Sequence, residues 1–183
     1  MKNFLLSVIF ILFITPPLFG QSDDEKRFTL RTALVAHALT YNLDKQNGVG
    51  FHLGHFSTGI NENNIDTIEK TFYGLNYAYG FDCINCDSYF VATFLNSGSS
   101  IITTDDGSTY TYSGLGLSVV GGYSWYLADA INIVLGAGPL LSSESRESEN
   151  IKTDNGFGTD ADERIEKLNF LPLVPLLFVG FSF

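Results

Sequence analysis

Three side chains with the chemistry of a hydrolytic triad lie close together in the first half of the sequence. His55 and Ser57 are separated by one residue, and Glu69 follows twelve residues after Ser57. A serine hydroxyl becomes a nucleophile when a base lies within hydrogen-bond reach, and a histidine base needs a third group to orient it. These residue types therefore suit nucleophilic catalysis, with Ser57 as nucleophile, His55 as base and Glu69 as orienting group.

The residue pattern around these side chains predicts a hairpin that carries all three on one face. The segment from Val49 to Ser57 alternates as a strand does, which places His55 and Ser57 on the same face. Glu69 begins the next predicted strand, on the face that carries Tyr73.

The stretch HFSTGINENNIDTIE, from His55 to Glu69, resembles the active-site segment of the outer-membrane lipid A 3-O-deacylases. The resemblance implies a lipid-facing triad on neighbouring strands that acts on an acyl ester of lipid A. In that family an Asn follows the Ser, where this chain has Thr58, and the motif lies on the last two strands, whereas four more strands are predicted to follow here. The alternative is that His55 and Ser57 are polar interface residues without a catalytic role.

The C-terminal stretch from Asn169 to Phe183, NFLPLVPLLFVGFSF, has the alternation of a β-strand. Pro172 and Pro175 within it are expected at edge or bulge positions, because proline cannot donate to a ladder. One predicted face carries the residues Phe183, Phe181, Val179, Leu177, Leu173 and Leu171.

A strand that ends the chain on an aromatic residue, as this one ends on Phe183, resembles the C-terminal strand of bacterial outer-membrane β-barrels. The resemblance implies an all-β, antiparallel, up-and-down transmembrane β-barrel. It also implies that the barrel-assembly machinery recognises the strand ending in Phe183.

Other alternating segments predict the remaining wall of such a barrel. Large residues alternate with small ones from Tyr73 to Phe81, as the narrow interior of a small barrel requires. Further strands are predicted from Ser88 to Asn96, with a possible extension toward Thr104, from Thr109 to Leu127 and from Ile131 to Leu141. Only seven strands are visible, so either Phe28 to Tyr41 contains two short strands or two strands are merged elsewhere, and we expect eight.

Connection lengths predict which way the barrel faces, because outer-membrane barrels have short periplasmic turns and long external loops. The predicted periplasmic turns are Asp44 to Gly48, Phe81 to Ser88 and Ala128 to Ala130, and the longer polar loops are Thr58 to Ile68 and Ser142 to Lys167. This orientation gathers Phe81, Trp125, Phe181 and Phe183 at the inner interface, as an aromatic girdle requires.

The start of the chain has the features of a secretory signal peptide. Lys2 precedes an apolar run from Phe4 to Ile14, and Gly20 ends the segment on a small residue. A run of this length is too short for a membrane-spanning helix. We expect cleavage after Gly20 and one β-barrel domain over residues 21–183, located in the cell outer membrane.

Composition limits the class of partner. Asp and Glu number 20 against 10 Lys and Arg, which argues against nucleic acid because phosphate binding needs a basic patch. The expected partners are outer-membrane lipid and lipopolysaccharide, and no cofactor is expected.

Cys83 and Cys86 form a CxxC pair inside a predicted turn. A redox pair is expected at a helix N-terminus, and a zinc site needs two further ligands. The sequence supports neither context, so we predict a structural disulfide, with free or transient thiols as the alternative.

The segment from Ser142 to Lys167 is rich in Asp and Glu. Asp154-Asn155-Gly156 and Asp160-Ala161-Asp162-Glu163 supply oxygen ligands dense enough for calcium, but their spacing is not that of an EF-hand loop. We therefore predict a solvated, mobile loop without a metal.

Three functions are consistent with these features. The first is a structural or surface-interaction barrel without an open pore, in which His37 and His52 are polar strand residues and His52 faces the lumen. The second is an ester hydrolase of lipopolysaccharide that uses His55, Ser57 and Glu69. The third is a soluble secreted barrel that binds an apolar ligand.

Overall fold

The structure, a computed structural model, describes residues 27–62, 64–128, 130–153 and 156–183. The predicted signal peptide, Met1 to Gly20, lies outside these residues. The described elements are β1 (Phe28–Thr32), β2 (Ala36–Asn42), β3 (Asn47–Glu62), β4 (Ile65–Gly80), β5 (Ser88–Thr104), β6 (Thr109–Ala128), β7 (Ile131–Asn150), α1 (Phe157–Asn169) and β8 (Phe170–Ser182). In this part of the chain no helix combines the length and apolar character that crossing a membrane requires.

The eight strands form one closed antiparallel ring in sequence order, as predicted. Each strand pairs with its neighbour along the chain, and β1 pairs with β8 to close the ring. Side chains alternate between an inner face, directed into the ring, and an outer face. We call the end where Phe28 and Phe183 exchange backbone hydrogen bonds of 2.8 Å the terminal end, and the end that carries α1 the helix end.

The predicted segment from Phe28 to Tyr41 contains the two short strands that the eight-strand prediction required. A tight connection at residues 33–35 separates β1 from β2, and Ala33 N–H donates to Ala36 C=O at 2.8 Å. The apolar run through this connection has no strand alternation of its own. This is why the sequence pattern shows one strand here rather than two.

The predicted loop from Thr58 to Ile68 is wrong, because the flanking strands continue through it. β3 extends to Glu62 and β4 begins at Ile65, with Thr58 paired to Ile68. The inner face here carries the buried residues Ile65 and Ile68, which accounts for the strand. The polar residues that suggested a loop extend the hairpin toward the helix end.

The predicted acidic loop from Ser142 to Lys167 is also wrong. β7 continues to Asn150, and α1 occupies most of the remainder. Ala161 and Ile165 are one helical turn apart and are buried, whereas the acidic side chains cover the other sides of the helix. The helical spacing of its apolar residues, rather than the number of its charges, therefore determines the structure of this segment.

The closing strand contains a bulge at Pro172, as predicted, whereas Pro175 is in register with Ala137 and lies on the part of β8 that β1 does not pair with. Gly138 pairs with Val174 and Leu140 pairs with Leu171, so Pro172 and Leu173 lie opposite one residue of β7. The extra residue reverses the alternation. Leu171 consequently faces inward, which corrects the predicted single face for Leu171 and Leu173.

Candidate functional site

The structure places the three residues of the predicted triad on the outer face of the β3–β4 hairpin. Ser57 lies directly opposite Glu69, and His55 lies opposite Thr71. All three predicted residues are exposed. The hairpin therefore brings a hydroxyl, an imidazole and a carboxylate to neighbouring positions of one surface, as the strand alternation predicted.

The hydrogen bonds of His55 differ from the predicted ones. Its Nδ1 lies 2.9 Å from Thr71 Oγ1, and its backbone N–H donates to Val35 C=O at 2.9 Å. Among the described residues, neither Ser57 nor Glu69 hydrogen-bonds to the imidazole. Thr71 is the residue that holds the ring, and sequence reasoning missed it because the pairing register was needed to place it opposite His55.

The other two histidines are strand residues, as predicted. His52 is buried on the inner face, where Nε2 contacts Asn96 Oδ1 and the ring meets Phe94 edge-on at a centroid distance of 5.2 Å. His37 Nδ1 lies 2.7 Å from Thr32 Oγ1 across the β1–β2 pair.

A charged pair that the sequence did not indicate lies inside the ring. Lys70 Nζ forms an ion pair with Glu144 Oε1, and the two side chains are 14% and 5% exposed. Ser100 Oγ donates to Glu144 Oε2 at 2.6 Å. Glu144 lies in the segment for which the sequence predicts a solvated loop. Its true position on the inner face of β7 follows only from the length of that strand.

Polar contacts also fix α1 at the helix end. Arg146 Nη2 lies 2.7 Å from Asp162 Oδ2 and donates to Gly158 C=O at 2.6 Å. Tyr112 Oη donates to Asp162 Oδ1 at 2.9 Å.

The acidic segment shows no metal centre in the part of the chain that the structure describes, where no three His, Cys, Asp or Glu side chains converge. Asp154 and Asn155, part of the calcium alternative, lie outside the described residues. Asp160 accepts a hydrogen bond of 3.0 Å from Asn64, and Asp162 pairs with Arg146. Both carboxylates thus serve to position the helix.

Cys83 and Cys86 are joined by a disulfide, with their Cα atoms 5.6 Å apart, within the usual range for such a bond. The bond closes the turn between β4 and β5. This turn directs Ile84 into the ring, where it is buried against Ala78 and Ala92.

Comparison with known proteins finds no relative: no protein-family model matches the sequence, and no curated protein or solved structure matches the chain.

Proposed function

We propose that the chain is an outer-membrane β-barrel protein with a structural or surface-interaction role and no open pore. A row of outward apolar side chains supports the proposal, since each residue is the register partner of the next across β3 to β7. The row consists of Phe51, Leu75, Leu95, Leu117 and Leu141, and each is 42–63% exposed. Water-soluble proteins rarely expose a continuous apolar surface of this extent, whereas lipid contact stabilises it.

Aromatic residues at the terminal end support the same proposal. Tyr123 packs against Tyr89 and Trp125, with ring centroids 4.9 and 5.0 Å away, and Phe28 stacks on Phe183 at 6.0 Å. Aromatic rings flank the apolar band of outer-membrane barrels at the two interfaces. In the proposed orientation this cluster would form the periplasmic girdle.

The interior favours a closed barrel over a channel. At the terminal end, Ile84 enters the ring, and at the helix end α1 packs across the inner surfaces of β4, β5 and β6. Both ends are thus covered by elements of the chain itself. A role at the surface of the membrane, rather than passage of solutes, is consistent with this arrangement.

The Leu95→Arg variant tests the membrane proposal at the centre of the apolar row. In lipid vesicles it should lower the free energy of unfolding by about 2–4 kcal/mol, because a charge at the bilayer midplane is poorly solvated. The matched control is Thr103→Arg, on the outer face of the same strand near the helix end, where the loss should be about 0–1 kcal/mol. Urea unfolding of both variants measures the difference.

A wild-type protein that is recovered as a freely soluble, folded monomer without lipid or detergent would contradict the membrane proposal. That outcome would favour the soluble barrel with an apolar ligand.

The register of the β3–β4 hairpin supports a second candidate function, hydrolysis of an acyl ester of lipopolysaccharide. In this proposal Ser57 Oγ attacks the ester carbonyl while Nε2 of His55 accepts the hydroxyl proton and then delivers it to the departing alcohol. Water subsequently cleaves the acyl-serine bond and releases a free fatty acid. Thr71 orients the imidazole through Nδ1. Glu69, which lies opposite Ser57, stabilises the positive charge that the imidazole acquires when it accepts the proton.

The Ser57→Ala variant tests the hydrolase. It should abolish release of fatty acid from lipopolysaccharide in detergent micelles, because the nucleophile is lost, and His55→Ala should do the same. Ser97→Ala, another change of an outward serine, is the control and should retain activity. Mass spectrometry of lipid A measures acyl loss, and a wild-type protein without activity would reject this candidate.

A further inference from the structure

One part of the ring wall is much shorter than the rest. β1 pairs with β8 only from Val179 to Ser182, and β2 pairs with β3 only from Gly48 to Gly54, within the described residues. Beyond the β1–β2 connection, β8 and β3 continue toward the helix end, and no other described strand lies between them. We call this opening the lateral gap. Its base spans three strand spacings of about 4.8 Å each.

The lateral gap begins close to the apolar row of the outer surface. Leu34 and Val35, in the connection between β1 and β2, are 92% and 45% exposed. The base of the gap lies at His55, only two residues along β3 from Leu53 and four from Phe51 of the apolar row. An exposed apolar connection this close to the apolar row is expected when it contacts lipid rather than water.

A cavity of about 310 Å³ lies behind the gap. Val35 and Phe56 line it on the β2–β3 side, and Leu171 and Val174 line it on the β8 side. We call it the lateral cavity. Its volume lies at the lower end of the ~300–1,000 Å³ typical of small-molecule pockets.

The lining of the lateral cavity is mostly hydrocarbon. Phe72, Leu140 and Leu168 add apolar surface, and the inward glycines Gly98, Gly114 and Gly116 leave room that side chains would otherwise fill. The glycines of adjacent strands therefore create the empty space.

The charged groups of the lateral cavity are already paired. Lys70 and Glu144 both line it, but they neutralise each other, and Glu144 also accepts the hydrogen bond from Ser100. A charged ligand group would have to break this pair, which is expensive in a buried setting. The lining thus favours an uncharged, apolar occupant.

We propose that the lateral cavity binds one acyl chain of a membrane lipid, which enters sideways from the bilayer through the lateral gap. The lipid head group stays outside the wall, where His55 and Ser57 flank Phe56 and present polar side chains beside the opening. This inference depends on the proposed membrane location, and it assigns a lipid-binding role that neither the structural role nor ester hydrolysis requires.

Photolabelling in vesicles tests the inference and separates it from the membrane proposal. The probe is a phosphatidylcholine with a diazirine near the end of one acyl chain. Residue-level mass spectrometry should find label on outward Leu95 and Leu117 and also on inward Phe72 and Leu140. Label on the outward residues alone overturns the acyl-chain site but supports the membrane location. Absence of label from both sets contradicts the membrane location and, with it, the inference.

The Gly116→Leu variant fills the cavity without displacing the backbone, because a Cβ at Gly116 would meet its nearest neighbour, Ser142 Cβ, at 3.4 Å. Labelling of the inward residues should fall about tenfold, which corresponds to a loss of about 1.4 kcal/mol of binding free energy. Labelling of the outward residues should stay the same. The control is Gly121→Leu on the same strand. Gly121 faces outward, and a Cβ there would lie 3.9 Å from its nearest neighbour.

The comparison within the wild-type protein remains decisive if Gly116→Leu fails to fold. A second arm uses a diazirine-bearing free fatty acid added to protein in detergent micelles. Inward labelling by the free acid alone, with none from the phospholipid, would overturn the assignment to a membrane lipid and indicate a carrier of free fatty acid. Unchanged inward labelling in a folded Gly116→Leu variant would place the ligand outside the lateral cavity.

Discussion

The two ends of the ring are closed by different kinds of interaction. At the helix end, Ala161 and Ile165 of α1 pack on the apolar inner face formed by Ile65, Ile68, Ile102, Tyr110 and Tyr112. At the terminal end, the turn between β4 and β5 carries Asn85, whose Oδ1 accepts hydrogen bonds from Thr29 Oγ1 at 3.2 Å and Tyr126 Oη at 3.1 Å. One closure depends chiefly on buried apolar surface, and the other chiefly on hydrogen bonds and a disulfide.

This difference determines how easily each closure can detach from the strands of the ring. The helix is a distinct element attached through one face, so it can be loosened while the ring persists. The terminal turn is short and is tied to β1, β6 and β8 through side-chain hydrogen bonds. When comparable substitutions are made at the two ends, we therefore expect local opening of the helix end to require less free energy than local opening of the terminal end.

The Ile165→Ala variant should have the largest effect on this comparison. Removing a buried isoleucine side chain leaves a cavity and costs about 2–5 kcal/mol, concentrated in the attachment of α1. Trypsin cleavage after Arg164 and Lys167 in micelles should accelerate, since cutting a helix requires local unfolding. Glu163→Ala changes an exposed position of the same helix and should leave the cleavage rate nearly unchanged. Equal rates in both variants would contradict the apolar attachment.

Removal of the disulfide by the double change Cys83→Ser and Cys86→Ser should have an intermediate effect. Closing a loop of this size contributes about 2 kcal/mol in the chain-entropy account. Urea unfolding should show that loss, while trypsin cleavage of α1 stays at the wild-type rate. Alkylation of the unreduced wild-type protein should find few free thiols, and full labelling of both cysteines would reject the disulfide.

The Tyr126→Phe variant should have the smallest effect. The hydroxyl group interacts with Ile84 C=O at 3.2 Å and with Ser182 Oγ at 3.1 Å, and its loss should cost about 1 kcal/mol. Tyr123→Phe is the control, because that ring faces outward and contacts other aromatic rings. If urea unfolding gives the two variants the same midpoint, the hydrogen bonds of Tyr126 do not stabilise the terminal end.

The outer surface was predictable because strand alternation has a period of two residues. The segments around Leu75 and Leu117 alternate large apolar residues with small ones, and this pattern alone places them on one face of a sheet. The same parity predicts, without knowledge of the register, that His55, Ser57 and Glu69 share one face. The contact between His55 and Thr71 needed the register, because the partner of a residue on the next strand depends on where the turn lies.

The predictions that failed fell in segments where polarity concealed regular structure. Charged side chains from Ser142 to Lys167 suggested solvation, although the apolar residues at Ala161 and Ile165 already had helical spacing. The polar stretch from Thr58 to Ile68 suggested a loop, although it continues both strands. Polarity describes the exposed face of an element, and a half-exposed helix or strand can carry many charges.

The sequence by itself determined the all-β class, the alternation of the wall, the bulge at Pro172 and the disulfide partner available to each cysteine. Only the tertiary structure decided that β1 and β2 are too short to complete the wall, that Lys70 meets Glu144 inside the ring, and that three inward glycines leave a cavity behind the gap. The physical reason is that alternation and turn chemistry act between near neighbours in the chain. The gap, the ion pair and the cavity each depend on strands that meet only when the ring closes.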